Sequence, residues 1–313
     1  MPSKIAVVQK PPVMLDRDAT IGLIVELIEE VSREGASLVV FPEAYLPGYP
    51  TWVWRLRPGG DMGLSSEIHA QLRANAIDLE TDQLDPVRRA AERCRLTVAL
   101  GIHELDSRFS GTTLFNTVVV VGPDGRLLNR HRKLMPTNPE RMVWGMGDAS
   151  GLRVVETPVG RIGCLICWEC YMPLARYALY AQGLEILINP TWDNGETSLA
   201  TFRHIAKEAG AWVIATATAL QGSDMPAEFP ECARLFPPEE WINDGDAVVV
   251  KPGGTVLAGP LNRVKGVLYA EIDAEAARRA RRSLDVAGHY SRHDIFSLSV
   301  DRRSTEPVRF SDD

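Results

Sequence analysis

Apolar positions along the chain fall into two alternating rhythms. Residues 4–9 form a short apolar run. Residues 18–34 instead place Ile21, Ile24, Leu27, Ile28 and Val31 three and four apart, the repeat of one helical face, with Gly35 as the stop. The run SLVVF (37–41) is continuously apolar, as a strand buried on both faces must be, and it leads straight into Pro42 and Glu43. Residues 44–63 are rich in Pro, Gly and aromatics and read as a structured loop. Helical segments are expected at 64–77 and 85–95. Strands are expected at 97–103 and 114–121, with the Pro123-Asp124-Gly125 turn returning the chain as a strand over 126–131.

The alternation then repeats. Strands are expected at 154–157, 161–167, 185–189, 212–218, 247–250, 255–257 and 267–272, and helices at 173–183, 197–210 and 274–281. The stretch 221–244 holds four prolines and many acidic residues and reads as a surface excursion. Beyond Arg282 the chain is polar and weakly periodic. The pattern predicts one α/β domain over 1–313, with 282–313 a C-terminal tail packing on the body or on a partner subunit.

Composition narrows the function classes. The 313 residues are 45% hydrophobic and carry a net charge of −7, so no basic surplus exists to neutralise phosphates, and nucleic-acid binding is disfavoured. No apolar run reaches the length of a membrane span, and the opening MPSKIAVVQKPPVM lacks the features of a signal peptide. A cytoplasmic protein is expected. Five cysteines, an odd number, suit reduced thiols better than a disulfide framework.

Candidate chemistry begins with Cys167. It closes the strand-like run 161–167 just before a helical segment, at the strand end where open α/β sheets place ligands. An inert core cysteine is the alternative on these grounds. Cys164, Cys167 and Cys170 are spaced C-x2-C-x2-C, but the fourth cysteine of an iron–sulfur run is absent, with Leu174 in its place. Cys164 and Cys167 would also point to opposite faces of a strand. No metal site is expected. Glu43, at the end of a buried strand, is either a salt-bridged structural acid or a general base whose pKa burial raises. Lys133 alone reads as a solvated charge, and Glu140 with Arg141 as a loop ion pair. The six histidines show no metal-ligand spacing.

Taken together, FPEAYLPGYP (41–50), HRKLMPTNPERMVWGMGDASGL (131–152) and GCLICWECYMPLARYALYAQG (163–183) resemble the three motifs of the nitrilase superfamily, in that family's order. PGGTVLAGP (252–260) and DVAGHYSRHDIFSL (285–298) extend the resemblance over nearly the whole chain. The resemblance implies an α-β-β-α four-layer sandwich, no metal or organic cofactor, and a homodimer or larger spiral homo-oligomer. It implies Cys167 as nucleophile, Glu43 as general base, Lys133 as oxyanion stabiliser and Glu140 as a supporting glutamate. PTNPERMVWGMGD and CWE-x-YMPLARY resemble the nitrilase branch, which implies a small-molecule nitrile as substrate; an amidase, carbamoylase or cyanide-degrading member is the alternative. Cys170 departs from that branch, which commonly has His or Asn there. Tyr49, Trp144, Trp168 and Trp192 lie in or near the motifs and are expected to wall a pocket for an aromatic or medium aliphatic nitrile, with Trp192 equally readable as core.

Overall fold

The apolar runs assemble into two stacked sheets, each covered by helices on its outer face. The computed structural model describes residues 2–108, 110–304 and 308. The first half of the chain gives β1 (Ser3–Val8), α1 (Arg17–Arg33), β2 (Leu38–Val40), α2 (Met62–Ala74), α3 (Asp85–Cys94), β3 (Thr97–Leu105), β4 (Leu114–Val121) and β5 (Leu127–Arg132). The second half gives β6 (Val154–Thr157), β7 (Gly160–Cys164), α4 (Pro173–Tyr180), β8 (Ile186–Pro190), α5 (Glu196–Ala209), β9 (Trp212–Thr216) and β10 (Ala219–Gln221). It continues with α6 (Cys232–Leu235), β11 (Trp241–Val250), β12 (Val256–Asn262), β13 (Val267–Ile272) and α7 (Ala274–Arg281).

The first sheet runs β13-β1-β2-β3-β4-β5, and the second β10-β11-β9-β8-β7-β6 with β12 paired to β11. In each, the central strands are parallel: β1, β2 and β3 in one, β7, β8 and β9 in the other. Alternation along β1 explains the layers. Ile5 and Val7 face the second sheet and pack with Ile162, Ile188, Ile214 and Val249, whereas Ala6 and Val8 face the helices and pack with Ile24, Ile28 and Val31 of α1. A third apolar layer joins the outer face of the second sheet to α4 and α5. The result is the expected α-β-β-α sandwich.

Local signals place the elements. Asp16 caps α1 by accepting the Ala19 N–H at 2.9 Å, Asp18 and Arg33 complement the helix dipole, and Gly35 leaves the helix with φ of 81°. Two expectations are corrected. The strand predicted over 161–167 stops at Cys164, and Cys167 opens a 3-10 helix, Cys167–Tyr171, with φ of 53°. The segment 221–244 is not a surface excursion. Met225, Phe229, Leu235 and Phe236 bury themselves against Trp52, Ile68 and Leu72, because the prolines shape short turns between apolar anchors.

In the tail, Val286, Ala287 and Val300 pack on the α4–α5 layer, and Tyr177 Oη lies 3.0 Å from Ser291 Oγ. Residues 305–307 and 309–313 of the predicted tail lie outside the described residues. Among the described residues, no helix is long and apolar enough to cross a membrane.

Candidate active site

Four chain segments deliver the side chains from the ends of strands in both sheets. Glu43 stands just past β2, whose exit is fixed by the Phe41 N–H donating to Ala99 O at 2.8 Å. The neighbouring strand runs so close that a Cβ on Gly101 would fall 2.2 Å from Pro42 O and 2.6 Å from the Ala44 nitrogen. Glycine is therefore required at 101 for Glu43 to sit where it does. Lys133 follows β5. Its N–H donates to Asn116 O at 2.7 Å, and its carbonyl accepts from the Gly147 N–H at 2.8 Å. Glu140 lies in a 3-10 helix, Asn138–Met142, where it also caps the Thr137 N–H at 2.6 Å. Cys167 follows β7, and Asn189 Nδ2 anchors its turn by donating to Leu165 O at 2.6 Å and Cys167 O at 3.1 Å.

All four side chains are buried. Lys133 Nζ donates to Glu43 Oε1 at 2.8 Å and to Glu140 Oε2 at 2.7 Å. The sequence-based picture of Lys133 as a solvated charge, and of Glu140 as half of a loop ion pair with Arg141, is thereby corrected: the two form a buried pair with each other. An ammonium has three donors, so one N–H of Lys133 is left after these two bonds. Asn116 Nδ2 donates to Glu43 Oε1 at 2.7 Å, while Glu43 Oε2 is buried without a hydrogen-bond partner. Tyr49 Oη donates to Glu140 Oε1 at 2.6 Å and accepts from Trp54 Nε1 at 3.1 Å.

These contacts set the protonation states. Burial pushes the Glu43 carboxyl up to about 7; the Lys133 ammonium opposes that rise and the Glu140 charge adds to it. Burial works against the Lys133 ammonium, but Glu43, Cys167 and Glu140 together outweigh it and hold the pKa above the usual lysine range. Burial pushes the Cys167 thiol up to about 12, with Glu43 adding to the rise and Lys133 opposing it. A thiol held that high becomes a thiolate only with the help of a base.

Over Cys167 lies a cavity of about 180 Å³, lined by Tyr49, Trp54, Thr137, Glu140, Trp168, Trp192, Asp193 and Asn194. Of the expected aromatic wall, Tyr49, Trp168 and Trp192 are present, with Tyr49 and Trp192 stacked at 4.1 Å between centroids and 4° between planes. Trp144 does not line the cavity. It is buried behind Tyr49, edge-on at 5.8 Å, and its Nε1 donates to His103 Nδ1 at 3.0 Å.

Trp54, Thr137 and Asn116 were missed by sequence reasoning. Trp54 carried a readable signal, being an aromatic in the segment directly after FPEAYLPGYP. Asn116 carried none, since an isolated Asn in a strand points to no partner. Cys164 packs in the layer between the sheets and Cys170 under α4 and α5.

Comparison with known proteins adds independent findings. The model of the carbon–nitrogen hydrolase family matches residues 4–282. The aliphatic nitrilase of Sinorhizobium fredii is 38% identical over 305 residues, covering 97% of this chain and 97% of that protein. The bifunctional nitrilase/nitrile hydratase NIT4A of Lupinus angustifolius is 37% identical over 317 residues, covering 97% and 88%. Among solved structures, Saccharomyces cerevisiae Nit3, a member of branch 10 of the nitrilase superfamily, superposes with a TM-score of 0.73 at 20% identity, covering 94% of this chain and 97% of that one.

Proposed function

This chain belongs to the carbon–nitrogen hydrolase family, and we propose that within it the protein is a nitrilase that hydrolyses an organic nitrile to the carboxylic acid and ammonia. The observation that carries the residue roles is the division of labour around Lys133. One oxygen of Glu43 is occupied by Lys133 and Asn116 and the other is bare, in the site where Cys167 faces an open cavity.

Glu43 Oε2 takes the Cys167 proton as Sγ attacks the nitrile carbon. The proton passes to the nitrile nitrogen and a thioimidate forms. Water, deprotonated by the same carboxylate, adds to the thioimidate carbon. The charge developing in the tetrahedral adduct is met by the third Lys133 N–H and by the backbone amide of Trp168 at the start of the 3-10 turn. Loss of ammonia leaves a thioester, and a second water releases the acid and restores the thiol. If the tetrahedral adduct expels the thiolate instead, the product is the amide; the lupin relative is named for both activities.

A cavity of about 180 Å³ walled by Tyr49, Trp54, Trp168 and Trp192 favours an apolar group of modest size next to the nitrile, stacked on a ring face. The same proposal places the protein in the cytoplasm as a homodimer or longer spiral of copies. The exposed Tyr171 and Met172 leading into α4, Leu174 in its first turn, and Tyr290 and Phe296 on the tail support the oligomer, and five unpaired cysteines support the compartment.

Incubation with benzonitrile, phenylacetonitrile, aliphatic nitriles and the matching amides tests the activity by ammonia and acid release. Brisk amide hydrolysis without nitrile turnover would sink it. Cys167→Ala should abolish turnover, and mass spectrometry of trapped enzyme should place the adduct on Cys167 rather than Cys164 or Cys170. Near-wild-type activity in Cys167→Ala overturns the assignment of the nucleophile.

A further inference from the structure

One buried carboxylate joins the two halves of the site, and the reaction as described makes no use of it. Glu169 lies two residues after Cys167 in the 3-10 turn. Its Oε2 accepts the Ile166 N–H at 2.6 Å, and its Oε1 accepts the Leu134 N–H at 2.6 Å. Ile166 immediately precedes Cys167, and Leu134 immediately follows Lys133. The first sheet delivers Lys133 and the second delivers Cys167, so a single carboxylate spans the gap between the sheets beside the reacting groups.

His131 Nε2 donates to the same carboxylate, 2.9 Å from Oε2 and 3.2 Å from Oε1. The other ring nitrogen, Nδ1, is buried without a partner, so Glu169 takes the whole hydrogen-bonding service of that ring. On β5 the flanking Arg130 and Arg132 turn to the opposite face and bind Glu104, leaving His131 directed between the sheets.

We propose that Glu169, held by His131, is a positioning residue that fixes Lys133 relative to Cys167. The proposal rests on the reading that those two residues carry the reaction. A carboxylate buried away from water is costly unless fully bonded. Here both of its backbone bonds go to the immediate neighbours of the nucleophile and of the oxyanion-stabilising lysine, on different sheets. Reacting atoms must meet at about 3–3.5 Å, and a displacement of about 1 Å can cost about 100-fold in rate. In Glu169→Gln, one acceptor oxygen becomes an NH2 group facing a backbone N–H, so the bridge fails on one side.

The test uses the full chain and a nitrile that the wild type turns over. Steady-state kinetics, the rate of Cys167 alkylation by iodoacetamide across pH, and thermal unfolding are measured for Glu169→Gln and His131→Gln. Glu169→Gln should lower kcat by roughly 100-fold with KM within about threefold, and should slow Cys167 alkylation well below its unfolding temperature. His131→Gln leaves both backbone bonds and should lower kcat by about tenfold with KM again little changed. Folded variants with kcat within about twofold of wild type, or losses that only track the folded fraction, overturn the proposal. If Glu169→Gln does not fold, His131→Gln decides by the same readouts. Failure of the proposed activity is separate: it shows in the wild type and in Cys167→Ala, whatever these variants do.

Discussion

Glu140→Gln isolates the electrostatic coupling within the site. The substitution is nearly isosteric, and its contacts can survive. The amide oxygen replaces Oε2 toward Lys133 and Thr137, and the amide nitrogen donates to the Tyr49 hydroxyl, which can accept as well as donate. What disappears is one negative charge. Glu43 Oε1 and Glu140 Oε2 lie 2.8 and 2.7 Å from one Nζ. At a separation of roughly 5.5 Å, the most those two bonds allow, unit charges repel by about 3 kcal/mol at an effective dielectric of about 20. Spread over two oxygens each and partly offset by Lys133, that repulsion corresponds to about one to two pKa units at Glu43.

In the proposed mechanism Glu43 must be ionised to accept the Cys167 proton, and the Glu140 charge contributes to its rise toward about 7. Removing that charge should move the acidic limb of kcat/KM against pH downward by about one to two units. The plateau should fall by about 5- to 30-fold, because the Lys133 bond to residue 140 survives but loses its ion-pair character, a weakening of roughly 1–2 kcal/mol. The assay is ammonia release from pH 5 to 10, with circular dichroism confirming the fold at each pH. An acidic limb that stays in place or moves upward refutes the coupling, and a plateau equal to wild type refutes the supporting role of Glu140.

Two further outcomes follow from the same geometry. The folded-state pKa of Glu43 is raised from 4.5 to about 7, so its contribution to stability is present at low pH and is lost as pH rises through that window. Glu43→Gln should therefore gain in unfolding temperature relative to wild type between pH 5 and pH 8; a difference independent of pH in calorimetry counts against the raised pKa. Gly101→Ala puts a methyl group 2.2 Å from Pro42 O, which must displace the Glu43 turn. It should cost about 1–3 kcal/mol in urea unfolding and most of the activity, and a variant with wild-type kcat/KM would show that the turn can shift without consequence.

The sandwich was legible because its strands are buried on both faces. Runs such as 38–41 and 118–121 are continuously apolar and leave no polar side to confuse the period, and α1 announces itself by Asp16, its apolar face and Gly35. Errors fell where tertiary partners override local chemistry. The prolines of 221–244 suggested exposure, yet Phe229 packs on Trp52 and Phe236 on Phe229 within one buried cluster. The strand predicted through Cys167 stops at Cys164, and Cys167 itself adopts a positive φ that nothing in CLICWEC signals. Glu43, Lys133 and Cys167 were separately ambiguous, and only their joint order in three motifs raised them above structural readings. Trp144 fails as a cavity residue for a geometric reason: Tyr49 stands in front of it, and sequence proximity carries no information about which of two aromatics is nearer the substrate.

The closing of the first sheet has a consequence for how the protein is made. β1 takes its antiparallel partner from β13 (Val267–Ile272), which is made long after it. Gln9, just beyond it, is bonded by Ala247 N–H and donates to Leu261 O and Val264 O, and Val8 O accepts from Thr216. Until β13 has emerged, β1 keeps an unpaired edge and the layer between the sheets has no lid at that side. At roughly 5–20 residues per second, that exposure lasts for tens of seconds or less. Truncation anywhere before β13 should therefore release a chain with an aggregation-prone edge rather than a smaller working enzyme.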